Sequence, residues 1–239
     1  GFYQMNGAYQ TEEGVSFTVS SHGATSCVLL LFRPAAQEPY ARIRIPESYK
    51  IGNTYSILVF GLKAEDFEYA YQMDGPADQA RGLLFNRKHT LLDPYAKAVT
   101  GQRNWGEKPE GGKDFVYKAR VVQSDFDWGR YRNLNYKFED LVIYEMHVRG
   151  FTKDASSGVK GGGTFEGLRQ KIPYLKDLGI NAVELMPIFE FDEMESARVV
   201  DGVQLYNYWG YNTVSFFAPN TSYAFHQDKS EPKTSLWSI

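Results

Sequence analysis

The pattern of apolar and polar residues divides the chain into two parts. From residue 1 to about 105, short apolar runs recur between turns that contain Gly or Pro, and Gly14–Ser20 places Val15, Phe17 and Val19 on one face. Alternation with a period of two is typical of antiparallel strands that bury one face. Similar runs predict strands at Cys27–Phe32, Ala41–Ile45, Tyr55–Leu62 and Phe67–Met73. Short strands at this spacing predict a β-sandwich.

Beyond residue 139 the pattern changes. Leu141–Val148 and Ile180–Met186 are continuously apolar runs, which are typical of parallel strands buried on both faces. Between them, Thr164 is a predicted helix N-cap, and Pro173 is placed to begin a second helix that ends at Gly179. Strand, helix and strand in this order predict a βαβ unit, and ligands of such units collect at the C-terminal ends of the strands.

Four motifs in this second part carry a resemblance to a known family. They read YEMHVRGFT from Tyr144, GTFEGL from Gly163, IPYLKDLGINAVELMPIFEF from Ile172 and NYWGYNTVSFFAPNTSYA from Asn207. Together they resemble the opening of the catalytic barrel of the α-amylase-type glycoside hydrolases, family 13. The motifs are most similar to those of the isoamylase and glycogen-debranching branch, and type I pullulanases are the nearest alternative. Upstream, LLDPYAKAVTG from Leu91 resembles the end of the carbohydrate-binding-module-48 sandwich that precedes this barrel.

The resemblance implies a multidomain β plus α/β fold. An immunoglobulin-like, carbohydrate-binding-module-48-like β-sandwich is expected over residues 1–105, and a connecting segment over 106–138. Residues 139–239 are expected to form the first part of an incomplete (β/α)8 barrel, because a whole barrel takes about 250 residues. The family pattern is lost at about Phe225.

The resemblance also implies a substrate-binding loop. Tyr211 stands where relatives place an aromatic ring under the sugar at the cleavage subsite, and Trp209 and Asn212 flank it. A pyranose has apolar C–H faces that a flat ring can support. The alternative is that Trp209 and Tyr211 only pack the loop. We expect His147 to hold this loop structurally, and the acids at 190, 192 and 193 to be solvated.

No catalytic residue is expected in this chain. Retaining glycoside hydrolysis needs two carboxylates about 5 Å apart, and in the resembled family these come from the fourth and fifth barrel strands. The chain carries about two of the eight strands. The resemblance therefore implies the N-terminal part of an α-1,6-glucan debranching hydrolase of glycogen and starch metabolism, catalytically incomplete on its own, whose parent is a retaining enzyme. The alternative is a non-catalytic α-glucan-binding module whose barrel remnant serves as a scaffold.

The composition and charge of the chain limit the classes of binding partner that we expect. A formal net charge of −3 with scattered Lys and Arg gives no indication of nucleic-acid or membrane binding, and no stretch is long enough to span a bilayer. The isolated histidines predict neither a metal nor a cofactor. The expected ligands are α-glucans such as glycogen, amylopectin and branched maltodextrins. The open barrel edge leaves three alternatives: an oligomer or partner that covers it, an altered packing, or poor order.

Cys27 is informative about the cellular compartment of the protein. It is the single cysteine of the chain, so no intramolecular disulfide can form, and its place in an apolar run predicts a buried small hydrophobe. A reducing, cytoplasmic location is expected. A leader peptide removed upstream of Gly1 stays open as an alternative.

Overall fold

The structure, a computed structural model, describes residues 3–100, 105–107, 116–123 and 126–225. The chain divides into two compact units. The first comprises Gly1–Gln102, Lys108–Gln123 and Ser215–Ala218, and the second comprises Arg103–Glu107, Ser124–Val214 and Pro219–Ile239. The segment after Phe225, where the family pattern is lost, lies outside the described residues, as does part of the predicted connecting segment 106–138.

The first unit consists of antiparallel sheets, as the alternating pattern predicts. Its strands are Gly7–Gln10 (β1), Gly14–Ser20 (β2), Ser26–Phe32 (β3), Pro39–Ile45 (β4), Lys50–Ile51 (β5), Thr54–Phe60 (β6), Glu68–Asp74 (β7), Ala77–Asp78 (β8), Leu83–Leu84 (β9), Ala98–Thr100 (β10) and Lys118–Arg120 (β11). One sheet has the order β1-β2-β6-β5 and another the order β10-β11-β7-β3-β4. These sandwich-like sheets confirm the predicted architecture of this part of the chain.

The core of the first unit follows from the period-two alternation. Val15, Phe17 and Val19 are all buried, as predicted for one face of β2. The other face of β2 is buried as well, and there the hydroxyl groups of Thr18 and Ser56 hydrogen-bond to each other at 2.6 Å. Cys27 lies in the same core, where burial raises the pKa of its thiol to about 12. The thiol is therefore a buried hydrophobe, as predicted.

A buried carboxylate ties the segment after β9 to the core of the first unit. Asp93 is fully buried, and its Oδ2 accepts a hydrogen bond from the Tyr69 hydroxyl at 2.8 Å, while its Oδ1 accepts one from the backbone N–H of Tyr95 at 2.8 Å. Tyr69 and Tyr71 of β7 pack edge to face in the core. Their rings are thus core residues of the sandwich, which excludes a sugar-stacking role for them.

The second unit contains a parallel pair of strands and short helices. Its strands are Ile143–Met146 (β12), Ala182–Leu185 (β13), Phe189–Phe191 (β14), Arg198–Val200 (β15) and Val203–Leu205 (β16), and its helices are Val148–Thr152 (α1), Phe165–Gln170 (α2) and Ile172–Asp177 (α3). A further strand, Thr213–Pro219 (β17), has residues in both units. β12 pairs with β13 in parallel, with Ile143 opposite Ala182. The predicted βαβ unit is therefore present.

The helix boundaries between these strands follow the capping residues. The Thr164 side chain accepts a hydrogen bond from the N–H of Gly167 at 3.3 Å, so it is the N-cap of α2, as predicted. Gly179 has φ +87, and Ile180 N–H donates to the Leu175 carbonyl at 3.0 Å, which closes the C-terminus of α3. The prediction that the first strand runs to Val148 is wrong.

That strand ends at Met146 because the next residue, His147, caps helix α1. In the part of the chain that the structure describes, no helix combines the length and the apolar character that a bilayer crossing requires.

The Tyr69–Asp93 hydrogen bond gives a testable prediction for the first unit. Tyr69→Phe removes the hydroxyl donor and leaves a buried carboxylate oxygen unpaired, so it should lower the free energy of unfolding by about 1–3 kcal/mol. Urea denaturation followed by circular dichroism measures this change. Tyr49→Phe, at an exposed tyrosine, is the control and should change it by less than about 0.5 kcal/mol. Equal effects of the two substitutions would contradict the role of Asp93.

Candidate functional site

An aromatic cluster forms the centre of the second unit. The indole of Trp105 stacks on Tyr223, with ring centroids 6.2 Å apart and an angle of 14° between the planes. Phe191 and Tyr208 approach Trp105 edge-on, at 5.9 Å and 6.0 Å between centroids. The guanidinium carbon of Arg149 lies 4.3 Å from the Trp105 ring centroid, in a cation–π contact. The cluster thus fixes the position of Tyr208, whose loop carries the predicted binding residues.

His147 forms hydrogen bonds through both of its ring nitrogens, one within helix α1 and one to the loop. The backbone N–H of Gly150 donates to Nδ1 at 3.1 Å, so the proton of the neutral ring is on Nε2. Nε2 then donates to the carbonyl oxygen of Tyr208 at 2.8 Å. The two rings also stack, at 4.2 Å and 10°. Burial lowers the pKa of His147, which favours the neutral form that this arrangement needs. His147 is therefore a structural residue, as predicted, and not a base.

The three predicted binding residues lie together on the loop that His147 holds. The Tyr211 side chain is 72% exposed and Trp209 is 53% exposed. Trp209 packs edge-on against Tyr208 at 5.2 Å, whereas the exposed Asn212 donates from Nδ2 to Glu195 Oε2 at 2.5 Å. One edge of Trp209 is thus held by the cluster, while Tyr211 is presented to solvent.

Gly210 makes this presentation possible. Its φ of +78 is a backbone conformation that L side chains rarely adopt, and a Cβ at this position would lie 2.5 Å from the Phe191 ring. The chain can therefore turn sharply against the cluster between Trp209 and Tyr211. As a result the two neighbouring aromatic side chains differ in exposure.

Two acids near the cluster differ from their predicted state. Glu190 and Glu193 were expected to be solvated, but both are fully buried. The Glu190 Oε2 accepts hydrogen bonds from the backbone N–H of Thr221 at 2.8 Å and from the Thr221 hydroxyl, and Glu193 Oε1 accepts from the N–H of Gly106 at 3.1 Å. The prediction failed because the partners are distant in sequence. The alternation Phe189-Glu190-Phe191 marks a strand, but it places Glu190 on the face opposite the two Phe side chains and so gave no local signal of burial.

Burial determines what these acids can do chemically. Desolvation raises the pKa of Glu190 to about 8, despite the hydrogen bonds from Thr221, and it also raises the pKa of Glu193. Glu190 is therefore mostly protonated at neutral pH and has no access to a ligand. Within residues 3–100, 105–107, 116–123 and 126–225, no group of three or more His, Cys, Asp or Glu side chains could hold a metal ion. The chemistry that the site supports is binding through aromatic rings and amides.

The raised pKa of Glu190 predicts a pH dependence of stability. In the unfolded chain its pKa is 4.5 and in the folded chain about 8, so its stabilising effect is complete below about pH 4.5 and is lost as the pH rises to about 8. Relative to Glu190→Gln, the wild-type chain should lose up to about 1.4 kcal/mol per pH unit in this window. Thermal denaturation at a series of pH values measures the difference.

The comparison with Glu190→Gln matters because His147 has the opposite effect: its lowered pKa makes the folded state more stable as the pH rises. Both chains contain His147, so its contribution cancels. Glu184→Gln, at an exposed position, is the control and should follow the wild-type profile. Parallel profiles for wild type and Glu190→Gln would show that Glu190 is ionised in the folded chain.

Comparison with known sequences supports the resemblance. Residues 5–96 match carbohydrate-binding module 48, the isoamylase N-terminal domain. The chain is 39% identical to isoamylase 3, chloroplastic, of Oryza sativa subsp. japonica over 229 residues. This alignment covers 91% of this chain and 29% of that protein. It is 32% identical over 230 residues to the glycogen debranching enzyme of Serratia proteamaculans (strain 568), covering 91% of this chain and 34% of that protein. The chain thus spans about three tenths of the length of these curated relatives.

Solved structures of pullulanases have a fold similar to that of this chain. The pullulanase of Anoxybacillus sp. LM18-11, complexed with maltotetraose, matches with a TM-score of 0.68 and 26% identity over 95% of this chain and 30% of its own. The pullulanase of Paenibacillus barengoltzii, in complex with maltohexaose and alpha-cyclodextrin, matches with a TM-score of 0.71 at 20% identity, over 97% of this chain and 34% of its own, and supports the fold alone. The relatives of this chain are therefore isoamylases and glycogen debranching enzymes, and its residues 5–96 are a carbohydrate-binding module 48 segment.

Proposed function

We propose that this chain is the N-terminal part of an α-1,6-glucan debranching glycoside hydrolase, and that it binds α-glucans without cleaving them on its own. Its sequence relatives are named isoamylase and glycogen debranching enzyme, and matching pullulanase structures hold malto-oligosaccharides. The binding residues in this proposal are Tyr211, Trp209 and Asn212. Glycogen, amylopectin and branched maltodextrins are the expected ligands.

One observation carries the proposal: Tyr211 is 72% exposed on a loop whose backbone is fixed by buried groups. An exposed ring on a rigid support suits the apolar face of a pyranose, because little side-chain freedom is lost on binding. The neighbouring Asn212 can hydrogen-bond to sugar hydroxyl groups beside that face.

The assignment of the second part of the chain to a barrel is a more specific part of the proposal. We assign residues 1–105 to the sandwich, 106–138 to the connecting segment and 139–239 to the start of the (β/α)8 barrel. The parallel pairing of β12 with β13 supports this. Ile143 and Val183 of these strands are 51% and 44% exposed, so the prediction that both strands are buried on both faces is wrong for the described residues. An oligomer that covers this edge stays a prediction.

A second candidate is a non-catalytic α-glucan-binding module in which the barrel part is a scaffold. Glu190 and Glu193 are buried and cannot reach a glycosidic bond, which is compatible with both candidates. In this candidate, adding a separate polypeptide that carries the later strands and acids of a relative would restore no hydrolysis. In the first candidate, such complementation is expected to do so.

Tyr211→Ala tests the binding loop. The substitution removes the stacking face and should reduce retardation of the chain in gels that contain glycogen or amylopectin, with a loss of affinity of about tenfold. Tyr49→Ala, at an exposed tyrosine between β4 and β5, is the matched control and should retain wild-type retardation. Full retention by Tyr211→Ala would place the binding surface elsewhere, on the sandwich.

The absence of cleavage is a separate prediction. The purified chain, incubated with amylopectin or branched maltodextrins, should release no reducing ends above a boiled sample of the same chain. The reason is that retaining hydrolysis requires a pair of facing carboxylates about 5 Å apart, which later strands of the barrel would contribute. Measurable debranching that disappears on boiling would refute this part of the proposal.

A further inference from the structure

The edge strand β4 of the first unit presents arginines on its outer face. β4 lies at the end of its sheet, and in the described part of the chain it pairs with β3 on one side only. Ala41, Ile43 and Ile45 contribute to the core of the unit. Because side chains alternate along a strand, Arg42 and Arg44 lie on the opposite face, and both are exposed. β4 thus combines a free backbone edge with two aligned positive charges.

The free edge of β4 lies between two prolines. Pro39 begins the strand and has no N–H to donate, and Pro46 follows its last residue, Ile45. Between them, about half of the backbone N–H and C=O groups point away from β3, as in any antiparallel edge strand. Among the described residues, none hydrogen-bonds to these outward groups. A polypeptide segment of about six residues could therefore add to the sheet as a further strand.

Arg42 and Arg44 also have no ionic partner within the described residues. No carboxylate there forms a salt bridge with either side chain, although Arg42 Nη1 donates to Gln72 Oε1 at 3.1 Å. A third arginine, Arg33, lies over the Tyr40 ring, with its guanidinium carbon 4.5 Å from the ring centroid. The chain as a whole has a net charge of −3, so this face is a local concentration of positive charge. It complements an acidic ligand.

The combination of edge and charge selects among possible occupants. Antiparallel pairing of two β4 strands centred on Ile43 would place Arg42 opposite Arg44 of a second copy, and like charges directly opposite each other are destabilising. A small anion would use the arginines but not the free backbone groups. An extended polypeptide with acidic residues at alternate positions uses both. Exposed Glu38 and Glu47 flank the strand, so acids are favoured only opposite its middle.

We propose that β4 is a docking site for an extended acidic segment of another protein, which adds to the sheet beside β4 and places two carboxylates against Arg42 and Arg44. The backbone ladder supplies affinity, and the two arginines select the sequence. The inference goes beyond the proposed function, because it involves neither Tyr211 nor an α-glucan. The alternative is that the arginines only protect the edge from pairing with other chains, as charges on edge strands commonly do.

Fluorescence polarisation of labelled peptides, titrated with the whole chain at about 50 mM salt, tests the docking site. The acidic peptide Thr-Val-Glu-Val-Glu-Val-Thr should bind saturably, and salt at about 500 mM should weaken its binding. Two control peptides should each bind at least about tenfold more weakly. One has Lys in place of both Glu residues. The other keeps the charges but is N-methylated at its backbone amides, which removes the donors of the ladder.

Charge reversal on the strand gives the sharpest comparison. Arg42→Glu/Arg44→Glu should bind the acidic peptide at least about tenfold more weakly and should bind the lysine peptide instead, because the charge pairs are restored with opposite sign. A misfolded variant would bind neither peptide, so the gain of lysine-peptide binding reports a folded chain. Arg81→Glu/Arg87→Glu is the matched control: it changes the net charge equally at exposed arginines outside β4, and it should alter the affinity by less than about twofold.

Three results would refute the docking site. Equal binding of the acidic peptide and its N-methylated form, or an equal loss in Arg81→Glu/Arg87→Glu, would show unspecific attraction only. Displacement of the acidic peptide by an equal concentration of inorganic phosphate would indicate a small-anion site. If the acidic peptide does not bind at up to about 1 mM, the arginines serve only to protect the edge. In that case Arg42→Val/Arg44→Val should aggregate more readily than the wild-type chain.

Discussion

The pair of hydrogen bonds made by His147 is the constraint that positions the loop proposed to bind α-glucan. Because Gly150 N–H donates to Nδ1, the ring must carry its proton on Nε2, and Nε2 can then hold the Tyr208 carbonyl. The same residue caps helix α1, immediately after strand β12. A single neutral imidazole thus links the end of a parallel strand to the loop that presents Trp209 and Tyr211. Protonation of Nδ1 would remove the acceptor for the Gly150 N–H and with it the side-chain cap of helix α1, while Nε2 would remain a donor to Tyr208.

Burial explains why the acids beside this loop do not act as catalytic groups. Glu190 and Glu193 lie against the aromatic cluster and take hydrogen bonds from the backbone N–H groups of Thr221 and Gly106. In this environment a charged carboxylate is costly, so the pKa of Glu190 rises to about 8. The acids therefore bind segments of the second unit to each other.

Local patterns in the sequence predicted much of the fold. Alternation identified β2 with its buried Val15, Phe17 and Val19, because a period of two reports burial directly. Thr164 and Gly179 marked helix ends, because capping depends on the residue itself. The end of the first parallel strand was missed, since the apolar pattern continues through Val148 while the His147 side chain caps a helix. The burial of Glu190 was missed because Thr221 lies 31 residues further along the chain. Tyr211, Trp209 and Asn212 came from the family resemblance alone.

Hydrogen–deuterium exchange with and without maltohexaose tests most directly whether the loop held by His147 binds α-glucan. The account predicts that the ligand slows exchange in peptides covering residues 198–212, which contain Trp209, Tyr211 and Asn212, and leaves the strands of the first unit unchanged. Protection confined to peptides within residues 14–74, with none in 198–212, would contradict it, because the sandwich and not the loop would then be the binding surface.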